Sequence, residues 1–167
     1  LMAYNAALAG EPDNPIALEN REQILFSLGR TSRCPPAYMR RLFDAFTENY
    51  DHHMLEALSY RAHLHLRDLA NKILTGKKAA LNILDLGSGT GLVGEAFKDL
   101  AHGGRLEGID LSPFMNEEAK KRGVYDELIL GDLEPYLASP GTAYDLILAA
   151  DTLIYLLAYK DRAARDA

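Results

Sequence analysis

The spacing of apolar positions divides the chain near Thr75-Gly76-Lys77-Lys78. Before that point apolar residues recur at helical intervals with almost no strand signal, and from residue 79 to 150 short β-type apolar runs alternate with helical stretches. In the first half, Met2 to Leu8 reads as a helix closed by the turn Gly10-Glu11-Pro12-Asp13-Asn14-Pro15. Asn14 can cap a second helix with Pro15 at its first position, because the asparagine oxygen accepts a free first-turn N–H and proline has none to leave unpaired. That helix runs to about Leu28 and stops at Gly29. After Cys34-Pro35-Pro36 a third helix is expected from about Ala37 to Asn49, with Met39, Leu42, Phe43 and Phe46 on one face. A fourth, roughly Asp51 to Leu74, places Met54, Leu55, Leu58, His65 and Leu69 near one stripe, the mark of packing on a core.

The second half reads as strand, glycine-rich turn, helix, and strand again. Strands are expected at Leu81 to Leu86, Arg105 to Asp110, Leu128 to Leu130 and Tyr144 to Ala150, with helices at Gly91 to Ala101 and from Pro113 to about Arg122, the latter capped by Ser112. The run Leu146-Ile147-Leu148-Ala149-Ala150 suits a strand covered on both faces. Strands separated by helices imply right-handed crossovers and a parallel sheet. The expected fold class is therefore α/β, a doubly wound and mainly parallel sheet preceded by N-terminal helices.

Composition narrows the function without naming it. The 167 residues include 24 acidic and 18 basic side chains, a net charge of −6, so phosphate neutralisation is not a general property of the surface and no nucleic-acid partner is expected. No apolar run approaches the roughly 18 to 20 residues of a membrane span. Cys34 is the single cysteine, which excludes a disulfide framework and a multi-thiolate metal site. With no signal-like segment at the start, the expected compartment is the cytoplasm.

The sharpest feature is Asn82-Ile83-Leu84-Asp85-Leu86-Gly87-Ser88-Gly89-Thr90-Gly91. A buried strand delivers the chain into a turn with glycines at alternate positions, where the backbone can approach a ligand, and the turn opens a helix whose N–H groups face the same ligand. Asp110, at the end of the second strand, is placed to accept hydrogen bonds from both hydroxyls of a ribose. Asp132, after the third strand, offers an acceptor for an exocyclic amine; its structural reading is a cap for a short helix beginning at Leu133. Together these describe an adenosine pocket at the carboxyl edge of the sheet. Gly89-Thr90-Gly91-Leu92-Val93-Gly94 also satisfies the dinucleotide pattern GxGxxG, but that pattern expects its first glycine where the strand ends, which here is Gly87.

The glycine turn with Asp85 before it, and Asp110 and Asp132 after it, resembles motif I and the following acidic positions of class I S-adenosylmethionine-dependent methyltransferases, whose fold is Rossmann-like. Leu42-Phe43-Asp44-Ala45-Phe46, Tyr50-Asp51-His52-His53-Met54-Leu55 and Leu58-Ser59-Tyr60-Arg61-Ala62 resemble the helices that precede the sheet in bacterial predicted methyltransferases carrying N-terminal tetratricopeptide repeats. Residues 3 to 30 resemble part of one such repeat. On this reading residues 1–34 form a helical arm suited to a protein partner. Residues 35–167 form the cofactor-binding domain, with leading helices at 35–75 and the sheet from 81.

The resemblance implies roles position by position. Gly87, Ser88, Gly89 and Gly91 would face the methionine portion of S-adenosylmethionine, with Asp85 orienting the loop or reaching the amino group through water. Asp110 would take the ribose hydroxyls, Leu111, Met115 and Leu133 would sandwich the adenine, and Asp132 would accept from its amino group. Ala150, Asp151 and Thr152 would border the sulfonium and the substrate entrance, and Tyr50 or Tyr38 would close over the cofactor. The expected reaction is in-line methyl transfer to a small-molecule acceptor, with Asp151 or His53 as base and S-adenosylhomocysteine as product. Surface or packing roles are the plain alternatives for Asp151, His52 and His53. His63 and His65, two apart on a helix, face different directions, so no metal site is expected. A non-catalytic cofactor-binding or protein-interaction module is the alternative, and a nicotinamide oxidoreductase rests only on the GxGxxG match. Four strands account for the chain where the family's sheet has seven, so the last strands are expected to be missing from this sequence.

Overall fold

The computed structural model describes residues 1–45, 49–74, 76, 80–139, 141 and 143–156. The chain separates into two compact units, Leu1–Arg41 with Thr152–Ala167, and Leu42–Asp151. Phe46 and residues Thr75, Lys77 and Lys78 lie outside the described residues.

In the first unit α1 (Met2–Gly10) and α2 (Pro15–Ser27) form a helical hairpin. Its turn is fixed as the sequence suggests: the Asn14 side chain accepts the N–H of Ala17 at 3.0 Å, and Pro15 opens α2. Arg41 pairs with Glu19 on α2 at 2.7 Å. The buried Cys34 donates its backbone N–H to the Tyr155 carbonyl at 3.1 Å, and burial pushes its thiol pKa up.

The helices leading into the second unit differ from the expected pattern. Helix α3 (Pro36–Asp44) ends earlier than Asn49. In place of one helix from Asp51 to Leu74, a short α4 (Tyr50–His52) continues as a π-helical turn, His53–Ala57. The chain then breaks at 58–61, with Ser59 at φ 50°, before α5 (Ala62–Ile73). Arg61 stabilises the break by donating to the carbonyls of Leu55 at 3.3 Å and Tyr60 at 2.9 Å. The interruption resets the helical phase, so the expected stripe does not continue across it. His63 and Ala70 are buried in α5, whereas His65 and Leu69 are exposed.

The sheet consists of β1 (Asn82–Leu86), β2 (Arg105–Asp110), β3 (Glu127–Leu130) and β4 (Leu146–Ala149), all parallel, in the order β3-β2-β1-β4. Helix α6 (Leu92–Phe97) joins β1 to β2, and α7 (Pro113–Arg122) joins β2 to β3. A short α8 (Leu133–Ala138) follows β3. Leu81, Ile83, Val93, Phe97, Leu100, Leu106 and Leu148 form the core between the sheet and α5 and α6. Arg67 of α5 closes this side: its guanidinium lies over Phe97 and holds Asp99 at 2.5 and 2.7 Å. Among the described residues β4 pairs with β1 alone. Ile147 is 54% exposed while Leu148 is buried, so the strand is covered on one face rather than on both. The chain leaves β1 toward β2 and β3 and returns to the other side of β1 as β4. This reversal makes the carboxyl ends of β1 and β4 a topological switch point, where such sheets usually hold a ligand in a crevice.

Candidate functional site

The turn after β1 is built by its glycines. Gly87, Gly89 and Gly91 have φ of 69°, 54° and 93°, a region that residues with a Cβ rarely adopt. A Cβ placed on Gly89 would meet nothing nearer than the Gly87 carbonyl at 4.0 Å, so the space beside the turn is open. Asp110, at the end of β2, accepts the Gly89 N–H at 2.9 Å through Oδ2 and the Ser112 N–H at 2.8 Å through Oδ1. Burial raises the Asp110 pKa, and the N–H groups of Ser112 and Gly89 oppose that shift. Ser112 caps α7 by accepting the Met115 N–H at 3.1 Å, while its own hydroxyl donates to Asp44 at 2.5 Å. The residue that fixes the turn is thereby fixed in turn by the leading helix.

Asp85 is fully buried in β1, beside Gly108 of β2 and Leu148 of β4. Burial pushes its pKa up to about 7; the hydroxyl of Tyr125, donating to Oδ2 at 2.6 Å, holds it down, and the charge of Asp110 pushes it up. Asp85 Oδ1 and the buried Ser88 Oγ have no hydrogen-bond partner among the described residues.

The remaining expected site residues fall around these strand ends and beyond them. Leu111 is half-buried, and Met115 and Leu133 are buried in the first turns of α7 and α8. Asp132 caps α8, accepting the Glu134 N–H at 3.2 Å. Ala150 is half-buried directly after β4, and the exposed Asp151 has φ 54°, strained for a residue other than glycine. Tyr50 is half-buried on α4, and His53 is exposed in the π-helical turn. Tyr38, half-buried on α3, belongs to the first unit.

Several residues of the site carried no signal in the sequence pattern. The Asp51 carboxylate accepts from the Thr90 hydroxyl at 2.5 Å and pairs with Arg122. Arg122 also donates to the Thr90 carbonyl at 2.6 Å and pairs with Glu95. One arginine at the end of α7 therefore ties α4, the glycine turn and α6 together. Tyr60 stacks on His63 with ring centres 5.8 Å apart. Its pKa is raised, first by burial and then by the charge of Asp151 and a hydrogen bond to it, with Tyr50 and Asp85 contributing. Tyr60 thus stands with Asp85, Asp151 and Tyr50 where β1 and β4 end. Burial and the neighbouring Arg61 and Arg122 lower the pKa of His63, which keeps it a neutral packing residue. Among the described residues no group of three His, Cys, Asp or Glu side chains could hold a metal ion, and no helix is long and apolar enough to cross a membrane.

Comparison with known proteins points to one family. A family described as "Methyltransferase domain" matches residues 83–166. The chain is 36% identical over 114 residues to methyltransferase-like protein 27 of Homo sapiens, covering 66% of the chain and 45% of that protein. It is 37% identical over 75 residues to the 18S rRNA (guanine-N(7))-methyltransferase of Bos taurus, covering 44% of the chain and 26% of that protein. The chain thus spans less than half the length of these curated relatives. The fold is similar to that of magnesium protoporphyrin IX methyltransferase from Synechocystis PCC 6803, crystallised with bound SAM. The TM-score is 0.50 at 20% identity, over 72% of this chain and 63% of that one.

Proposed function

The chain belongs to the methyltransferase domain family, and from that premise we propose that it binds S-adenosylmethionine at the carboxyl ends of β1 and β2 and transfers the methyl group to a small-molecule acceptor. The observation that carries this reading is the bond from the Gly89 N–H to Asp110, which unites the open glycine turn with the acceptor for a ribose. The residues present fit the cofactor. The turn leaves room beside Gly89, Asp110 retains lone pairs for two hydroxyls, and a carboxylate oxygen of Asp85 has no protein partner among the described residues.

When bound, S-adenosylmethionine supplies an already activated sulfonium methyl, so no covalent residue of the protein is needed. Asp110 holds the ribose, Asp132 accepts from the adenine amine, and Leu111, Met115 and Leu133 provide apolar flanks. Asp85, Gly87, Ser88, Gly89 and Gly91 form the methionine side, and Ala150 borders the methyl. Asp151, exposed after β4 and hydrogen-bonded by Tyr60, receives the proton of the acceptor, with His53 as the second candidate base. Tyr50 covers the cofactor and keeps water out.

A small acceptor agrees with the charge of −6, which gives no general surface for phosphates. The bovine relative, named for methylating a guanine of 18S rRNA, makes a nucleobase the second acceptor class to test. The hairpin of α1 and α2, similar to part of a tetratricopeptide repeat, is proposed to serve a protein partner. The test is incubation with methyl-labelled donor and separate pools of metabolites and RNA. Label appearing in a small molecule with release of S-adenosylhomocysteine supports the reading, label in RNA moves the acceptor to the second class, and cofactor binding with no product favours a non-catalytic module.

A further inference from the structure

The glycine motif lies between Asp85 and Gly94, yet the group most closely fitted to it comes from elsewhere. Tyr125 lies between α7 and β3, and its hydroxyl donates to Asp85 Oδ2 at 2.6 Å while accepting the Gly94 N–H at 3.1 Å. Its ring fills space that a side chain would otherwise occupy. A Cβ on Gly94 would stand 2.5 Å from the Tyr125 hydroxyl oxygen, one on Gly108 would stand 3.0 Å from the ring, and one on Gly91 would stand 3.2 Å from it. The third glycine of the GxGxxG match is therefore explained by an aromatic ring seated against α6, with no dinucleotide required.

Resting on the methyltransferase reading above, we propose that Tyr125 is a positioning residue that fixes the glycine turn and, by its hydrogen bond to Oδ2, orients the buried Asp85 carboxylate and favours its anionic form for a cationic cofactor. A carboxylate with no solvent contact and no cation against it needs a donor to remain ionised. Tyr125 is that donor, and it stays protonated because burial and the adjacent Asp85 charge push its own pKa far up. The titratable groups facing Asp85 are Tyr125 from the α7–β3 connection, Asp110 from β2 and Tyr60 from the segment before α5, with Arg122 acting on Tyr125. Asp110 and Tyr125 thus oppose each other, the first favouring the neutral acid and the second the anion. The charged form attracts the amino group of the bound cofactor, and its negative field is strongest in this dry position.

The experiment is titration of S-adenosylhomocysteine by calorimetry between pH 6 and 8.5, on the parent chain and on Tyr125→Phe, which keeps the ring and removes only the hydroxyl. Affinity in the parent chain should rise with pH through about 7, where Asp85 ionises. In Tyr125→Phe the rise should move to higher pH, leaving binding about tenfold weaker at pH 7 and closer to the parent at pH 8.5. A uniform weakening at all pH values, the mark of a packing role alone, would overturn the assignment, as would an unchanged profile. Asp85→Asn provides the second arm if the phenylalanine variant does not fold: its binding should lose the step near pH 7, and a persisting step overturns the proposal. Failure of the parent chain to bind at any pH would overturn the methyltransferase reading as well, whereas binding with an unaltered profile overturns only the role of Tyr125.

Discussion

Asp110 Oδ2 accepts the backbone N–H of Gly89 at 2.9 Å, so the end of β2 and the middle of the glycine turn form one rigid unit. The carboxylate is oriented in advance by that N–H and by the N–H of Ser112, and it needs no rearrangement to receive a ribose. Asp110→Ala removes two charge-assisted hydrogen bonds to the nucleoside and loosens the turn. At about 1.5–3 kcal/mol for each such bond, affinity for S-adenosylhomocysteine should fall about a hundredfold or more. The Gly89 N–H lies at a half-buried position that water can reach, whereas Ser112 is fully buried, so the variant should remain folded with a modest loss of stability. Calorimetry paired with a circular dichroism melt checks both halves, and unchanged affinity would mean that Asp110 does not hold the ribose.

The fold beyond this unit was legible to different depths. The order β1–α6–β2–α7–β3–β4 follows from short apolar runs and caps that are local in sequence, such as Ser112-Pro113. The helix break at Ser59 is not local in that sense: it is held by Arg61 reaching back to carbonyls before it, which no periodicity records. Asp85, Asp110 and the glycines announce themselves by spacing. Tyr125, Arg122 and Asp51 join the same site through bonds between residues 31 to 71 positions apart, and only the folded chain brings them together.

The contact of Asp51 with Thr90 and Arg122 anchors α4 on the glycine turn. Arg122→Ala should raise hydrogen exchange across residues 50–57 and weaken cofactor binding several-fold, with a stability loss of about 1–2 kcal/mol because the arginine is only partly exposed. Mass-spectrometric exchange reads the effect segment by segment. Unaltered protection of α4 would show that the arginine does not hold it.

Burial of Asp85 has a calculable sign in stability. Its pKa is raised from 3.8 unfolded to about 7 folded, so between those values the native state holds a proton that the unfolded chain has released, and stability from this group falls as pH rises through that window. Asp85→Asn removes the penalty. The variant should melt higher than the parent chain at pH 8 by several degrees, a difference of a few kcal/mol, and the advantage should shrink toward pH 5. Asp99, whose shift comes from Arg67 and its own surroundings, titrates equally in both proteins and cancels in the comparison. A melting difference that does not change with pH would contradict the buried, ionising carboxylate.

Arg67 and Asp99 make the opposite case. The guanidinium lowers the carboxyl pKa of Asp99, so this pair contributes stability above the ordinary carboxylate range and loses it as pH falls through the depressed folded value. Asp99 is largely exposed, which limits the contribution through solvent screening. Arg67→Ala should therefore lower the melting temperature modestly at pH 7, mainly through its lost packing on Phe97 and its lost bond to the Ala96 carbonyl, and leave cofactor affinity unchanged. A large loss of affinity in this variant would show that α5 is coupled to the site.

The central claim is that the turn from Gly87 to Gly91 with Asp110 holds S-adenosylmethionine and not a nicotinamide dinucleotide. Parallel calorimetric titrations of the chain with S-adenosylmethionine and with NAD test it most directly. Saturable binding of the methyl donor with no heat from NAD is the predicted result, and saturable NAD binding with no response to the methyl donor would contradict it.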